Sequence, residues 1–135
     1  MRVSSFLRRC ADVPLALGAA ALVPWTVGIA SQLPDHAVAR HWNTAWAGLD
    51  VAITLGLAVT AWLGRRRDPR VALAATATAT LMCADAWFDV CTSAAGASFA
   101  VALAEGGVEL VFAAGCLAVG LRARARQGML SARRS

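Results

Sequence analysis

Four apolar runs, each close to the roughly 20 residues that an α-helix needs to cross a bilayer, constrain this chain more than any other feature. They cover residues 13–33, 44–64, 71–93 and 98–121 of a 135-residue sequence. No run alternates apolar and polar residues as a half-buried strand would. Pro14 suits a first helical turn, Pro24 falls where a kink is expected, and Pro34 ends the first run. The connections PDHAVARHWN, RRRDPR and SAAGA are short, and short connections make successive helices antiparallel neighbours. The expected fold is all-α, an integral membrane four-helix bundle of up-down-up-down topology. It forms one domain, 1–135, with a basic tail at 122–135 expected to fray or to lie on the lipid surface. Abundant alanine and glycine suit close helix contact. The threonines of ATATAT at 75–80 can bond their own helix backbone.

The basic residues then orient the bundle. All 13 are arginine. Arg2, Arg8 and Arg9 precede the first run, Arg65, Arg66, Arg67 and Arg70 fill the second connection, and Arg122, Arg124, Arg126, Arg133 and Arg134 follow the fourth. Arg40 alone lies on the opposite side. The excess of arginine on cytoplasmic loops puts both termini and the second connection in the cytoplasm of a cell-membrane protein. A net charge of +5 could suggest nucleic acid. The arginines cap apolar runs, however, and no basic patch is interleaved with aromatics that would stack bases. Anionic lipid headgroups are the expected partner of the arginines. The rival reading of the first run as a signal peptide leaves three spans in the same orientation.

Five of the eight carboxylates fall inside the spans: Asp50, Asp85, Asp89, Glu105 and Glu109. An ionisable residue at a helix centre costs roughly 2.5–3.5 kcal/mol on insertion scales, so each marks a functional hypothesis. At 1.5 Å per residue, all five lie about 6 to 16 Å below the outer boundary of their spans. Phase agrees with depth. Asp85 and Asp89 share a helical face, as do Glu105 and Glu109, and Trp46, Asp50 and Thr54 are successive i, i+4 positions. The simplest packing turns these faces into one pocket open to the outside, with Trp25 and Thr26 at comparable depth. The five cannot all be ionised together in a low-dielectric site. A proton, a cation, Arg40 or water must compensate.

Other polar candidates have plainer readings. Cys10, Cys83, Cys91 and Cys116 lack CxxC spacing and are expected to be free thiols. Trp42, Trp46 and Trp62 suit membrane interfaces. Trp87 points more to lipid or a partner helix than to Asp85. His36 and His41 are expected in an exposed outer loop, with metal ligation beside the carboxylates as the alternative.

The stretch LMCADAWFDV, with WAGLDVA upstream and VELVFA downstream, resembles a family of small four-span membrane proteins of actinobacteria. The lysine-free, alanine-rich composition fits such a high-GC source. The similarity covers roughly residues 42–115 and is most specific at DAWFD, 85–89. It implies the four-helix membrane fold and carries no activity with it.

Three functions remain. The leading one is uptake of a cation, a proton or a small cationic ligand by Asp50, Asp85, Asp89, Glu105, Glu109, Trp46 and Thr54. Asp50, Asp85 and Glu105 are the candidate ligands of a divalent cation. Four spans are few for a transporter, so a homo-oligomer or a membrane partner subunit is implied. The second is a structural subunit whose acids are interhelical hydrogen-bond glue. The third is an intramembrane acid-base enzyme on a lipid-like substrate, with Asp85 and Glu105 dividing the roles and Asp50 orienting. No nucleophile, Gly-rich phosphate loop or zinc motif accompanies it.

Overall fold

A computed structural model of the chain describes residues 17, 20–28, 31 and 38–132. Among them the regular structure is helical throughout. The described part of the first helix, α1, is residues 20–28. Three more helices come after it: α2, Trp42–Arg65; α3, Val71–Thr92; and α4, Ala97–Ala132. The last three are long and apolar enough to cross a membrane. Their bounds fall within a residue or two of the predicted spans, apart from the end of α4. The first predicted span, 13–33, lies partly outside the described residues. Residues 1–40 and 41–135 form separate units, and the second unit holds α2, α3 and α4.

The described part of the basic tail is helical: α4 continues unbroken through Ala132. The RARARQ segment is made of strong helix formers, and no proline stops it. At 1.5 Å per residue α4 is about 54 Å long, against about 36 Å for α2. Its far end is tied back where Gln127 Nε2 donates to the Pro69 carbonyl at 3.4 Å.

α3 and α4 pack through a seam of small residues. Ala72, Ala75, Ala79, Met82 and Ala86 are buried along α3, and Ala102, Ala113 and Cys116 along α4. These positions recur every three or four residues, the spacing that keeps one helical face toward a neighbour. A Cβ added at Gly106 would lie 3.4 Å from the Ala86 Cβ, and one at Gly120 would lie 3.5 Å from the Ala72 carbonyl. Contact of 86 with 106 and of 72 with 120 makes the pair antiparallel.

α2 joins this pair along Ile53, Thr60 and Leu63, with Leu49 and Leu57 partly buried. Gly56 sits against Thr78, where an added Cβ would approach the hydroxyl to 2.5 Å. The Thr60 and Thr78 hydroxyls lie 3.4 Å apart in the buried contact. Thr78 also donates back to the Ala74 carbonyl at 2.9 Å, and Thr76, Thr80 and Thr92 make the same backbone bond one turn back. The threonines thus hide their hydroxyls in their own helix. Outward faces carry Val51, Leu55, Leu73, Phe88, Val111 and Phe112, all exposed. In a soluble protein such a surface would aggregate. On helices of this length it is the surface expected to meet acyl chains.

The α2–α3 connection is tight. Asp68 N–H donates to the Leu63 carbonyl at 3.0 Å and Arg67 N–H to the Gly64 carbonyl at 3.1 Å. This is the Schellman pattern that ends helices, with Arg67 in the left-handed position usually held by glycine, φ 54°. Asp68 Oδ1 then accepts from the Arg70 N–H at 2.8 Å, within the connection just before α3.

The α2–α3 contact admits no side chain at position 56. Gly56→Val is expected to lower unfolding stability in detergent by about 1–3 kcal/mol, the usual effect of overpacking. Gly107, with open space around its Cβ direction, should accept alanine with a change within about 0.5 kcal/mol.

Candidate carboxylate groove

The first turns of α2 and α4 and the last turns of α3 meet at one end of the unit. They enclose a groove of ≈ 600 Å³, within the roughly 300–1,000 Å³ common for small-molecule sites. Asp50, Asp85, Asp89, Glu105 and Glu109 all line it, together with Trp46. Helical phase explains the convergence. The i, i+4 pairs 46/50, 85/89 and 105/109 each present two side chains to one side, and antiparallel packing carries the three pairs to the same end.

The acids differ in depth. Asp50 and Glu105 are exposed at the rim, Asp89 and Glu109 are half-buried, and Asp85 is only 3% exposed. Asp85 and Glu109 face each other across the α3–α4 seam. Oδ1 of Asp85 and Oε2 of Glu109 are buried and accept no hydrogen bond from a donor among the described residues. A buried acceptor left unpaired costs on the order of 1–3 kcal/mol, more when charged. Among the described residues no arginine or histidine lines the groove. His41, expected just above it, is exposed and takes no part in the lining, and Arg40 belongs to the other unit.

Several expected residues fall elsewhere. Thr54 is exposed and lies outside the lining, because the turn after Asp50 has already left the groove. Trp87 is 68% exposed and points away from the groove, as its phase predicted. Trp42 stacks edge-on against Trp46, ring centroids 5.4 Å apart, and steadies one wall. Trp25 and Thr26 belong to the other unit, and His36 lies outside the described residues. Cys83, Cys91 and Cys116 are free thiols.

The divalent-cation expectation for Asp50, Asp85 and Glu105 finds no chelating geometry. Among the described residues no three His, Cys, Asp or Glu side chains stand close enough to hold a metal ion. The acids ring the groove and do not converge on a point. Sequence reasoning missed Ala104 and Val108, which supply the apolar wall. They sit one position before Glu105 and Glu109 on the same stripe, so helical phase could have found them.

The depth order is open to test by cysteine scanning in a background in which Cys10, Cys83, Cys91 and Cys116 are replaced by alanine. Glu105→Cys and Asp50→Cys should react with a charged, water-soluble thiol reagent at least about tenfold faster than Asp85→Cys, since access limits thiol modification. Equal rates at 85 and 105 would show that Asp85 is not at the bottom of the groove.

No family model matches the chain, and no curated protein and no solved structure matches it either. The resemblance of the DAWFD block therefore assigns no family, and the function has to be read from the groove itself.

Proposed function

We propose that this is a multi-pass membrane protein, a four-helix bundle with both termini and the arginine-rich ends in the cytoplasm. In this reading the carboxylate groove takes up a small organic cation from the outer side, in exchange for protons. One observation carries the proposal. Asp85 is almost wholly buried, its Oδ1 has no partner among the described residues, and it forms part of a groove lined by four further carboxylates and, among the described residues, no basic side chain. An arrangement that concentrates negative charge in a place of low dielectric favours a cation that brings the missing charge.

Three features favour an organic cation over a chelated metal ion. The carboxylates ring the groove without converging. The groove is large enough for a small molecule. Trp46 offers an aromatic face, and Ala104 and Val108 an apolar wall, for the hydrocarbon part of such a ligand. The exchange with protons follows from charge. Without a ligand, a proton held between Asp85 and Glu109 supplies the donor that both lack. An entering cation supplies the compensating charge instead and displaces the proton.

A second reading also has support. The Asp85–Glu109 pair lies in the helix seam, so a shared proton there would join α3 to α4 as a hydrogen bond. The two readings part on substitution by amides. Purified full-length protein in detergent is heated with tetraethylammonium, with tetraphenylphosphonium and with Mg²⁺. At a concentration of about 100 times Kd, a ligand of the native state adds about 2.7 kcal/mol of stability. The organic cations should stabilise the wild type, less so as pH falls, because protons compete for the same oxygens. Asp85→Asn should fold and lose the stabilisation. If neither organic cation shifts unfolding at any pH and Asp85→Asn is as stable as the wild type, the acids are glue and the groove is not a cation site.

A further inference from the structure

At the opposite end of the same unit a second cavity, of ≈ 840 Å³, lies between the α2–α3 connection and the extended part of α4. Its charged lining is Arg67, Arg122, Arg126 and Asp68, and its apolar lining includes Val71, Val119 and Met129. The charges are not balanced. Asp68 is already engaged, since its Oδ1 lies 3.3 Å from Arg70 Nε and also accepts the Arg70 N–H. Arg66 is engaged as well, stacked over Trp62 at 4.5 Å from the ring centroid. Arg67, Arg122 and Arg126 have no ion pair among the described residues. Three guanidinium groups thus line one cavity whose one carboxylate, Asp68, is paired with Arg70.

The backbone adds a second observation. Arg67 sits at φ 54°, a conformation that disfavours any residue with a Cβ. Glycine is the usual occupant of that Schellman position. An arginine there carries a conformational cost, and in return its side chain is delivered to the cavity. Arg122 and Arg126 are i, i+4 on α4, one turn apart on the face that Gln127 holds against Pro69. The straight continuation of α4 past residue 121 is what brings them to the connection.

We propose that this cavity is a binding site for the phosphate headgroup of an anionic membrane phospholipid. Guanidinium groups match phosphate oxygens in charge and in hydrogen-bond geometry. The wall of Val71, Val119 and Met129 suits the start of an acyl chain and has no use for a free ion. The site lies at the end of three helices long enough to cross a membrane, where headgroups are found. It is independent of the carboxylate groove, about 21 Å away along α3 as measured from Val71 to Asp85 at 1.5 Å per residue.

Native mass spectrometry of the full chain released from detergent tests the assignment. Short-chain phosphatidylglycerol, phosphatidylcholine of the same chain length and inorganic phosphate serve as separate probes. The wild type should retain phosphatidylglycerol in preference to phosphatidylcholine. Arg122→Gln and Arg126→Gln should each weaken retention roughly fivefold, the equivalent of about 1 kcal/mol per arginine. Arg67→Gly should weaken it similarly while leaving thermal stability unchanged or raised, since glycine fits the backbone better. That variant separates loss of the site from loss of the fold. Arg124, on α4 but outside the cavity lining, is the control, and Arg124→Gln should have little effect. Three results would overturn the proposal: equal retention of the two lipids, an Arg124→Gln effect as large as that of Arg126→Gln, or inorganic phosphate binding as tightly as the lipid.

Discussion

Ala72 and Ala75 against Gly120 at one end, and Ala86 against Gly106 at the other, bring α3 and α4 nearly backbone to backbone. Helices in an apolar medium gain nothing from hiding hydrocarbon, so close van der Waals contact between small residues has to hold them together. The rest of the unit depends on that seam. It fixes α3 and α4 in one register, and the register puts Asp85 opposite Glu109. It also aligns the last turns of α3 with the first turns of α4, where the groove opens. A bulkier residue in the seam would part the helices and move both carboxylates out of reach of each other.

The two ends of the unit are chemical opposites. Among the described residues, one gathers five carboxylates with no arginine in the lining, and the other gathers arginines with one acid that is already paired. This polarity runs along the helices and not across them. The acidic and basic linings therefore do not neutralise one another. The middle is kept free of charge. There the polar groups are threonine hydroxyls, bonded to their own helix backbone or to each other across Gly56.

Much of this was legible in the sequence. Run length and arginine placement marked α2, α3 and the start of α4 to within a residue or two, because helix length and helix ends have local causes. The i, i+4 spacing of Asp85 with Asp89 and of Glu105 with Glu109, together with equal depth, led to one groove. Where local rules ran out, the expectations slipped. Thr54 obeyed the same spacing as Asp50 but lies outside the groove, since a straight helix keeps only one or two turns beside a short opening. The tail looked like a polar appendage and is helix, because Arg and Ala propagate a helix that is already nucleated.

The chain by itself determined the number of the described helices from residue 42 on, the bounds of α2 and α3, the chemical sign of each end, and which acids share a face. These follow from periodicity, rise per residue and the hydrophobicity of consecutive residues, all of which are local. Only the tertiary structure decided that Asp85 is the buried acid and faces Glu109, that the acids ring a groove without converging on one point, and that Arg67 shares a cavity with Arg122 and Arg126. Those outcomes depend on how closely two helices approach and on where a connection turns, which is settled by Gly106, Gly120 and a left-handed Arg67 acting across the fold. No window of sequence holds both partners of such a contact.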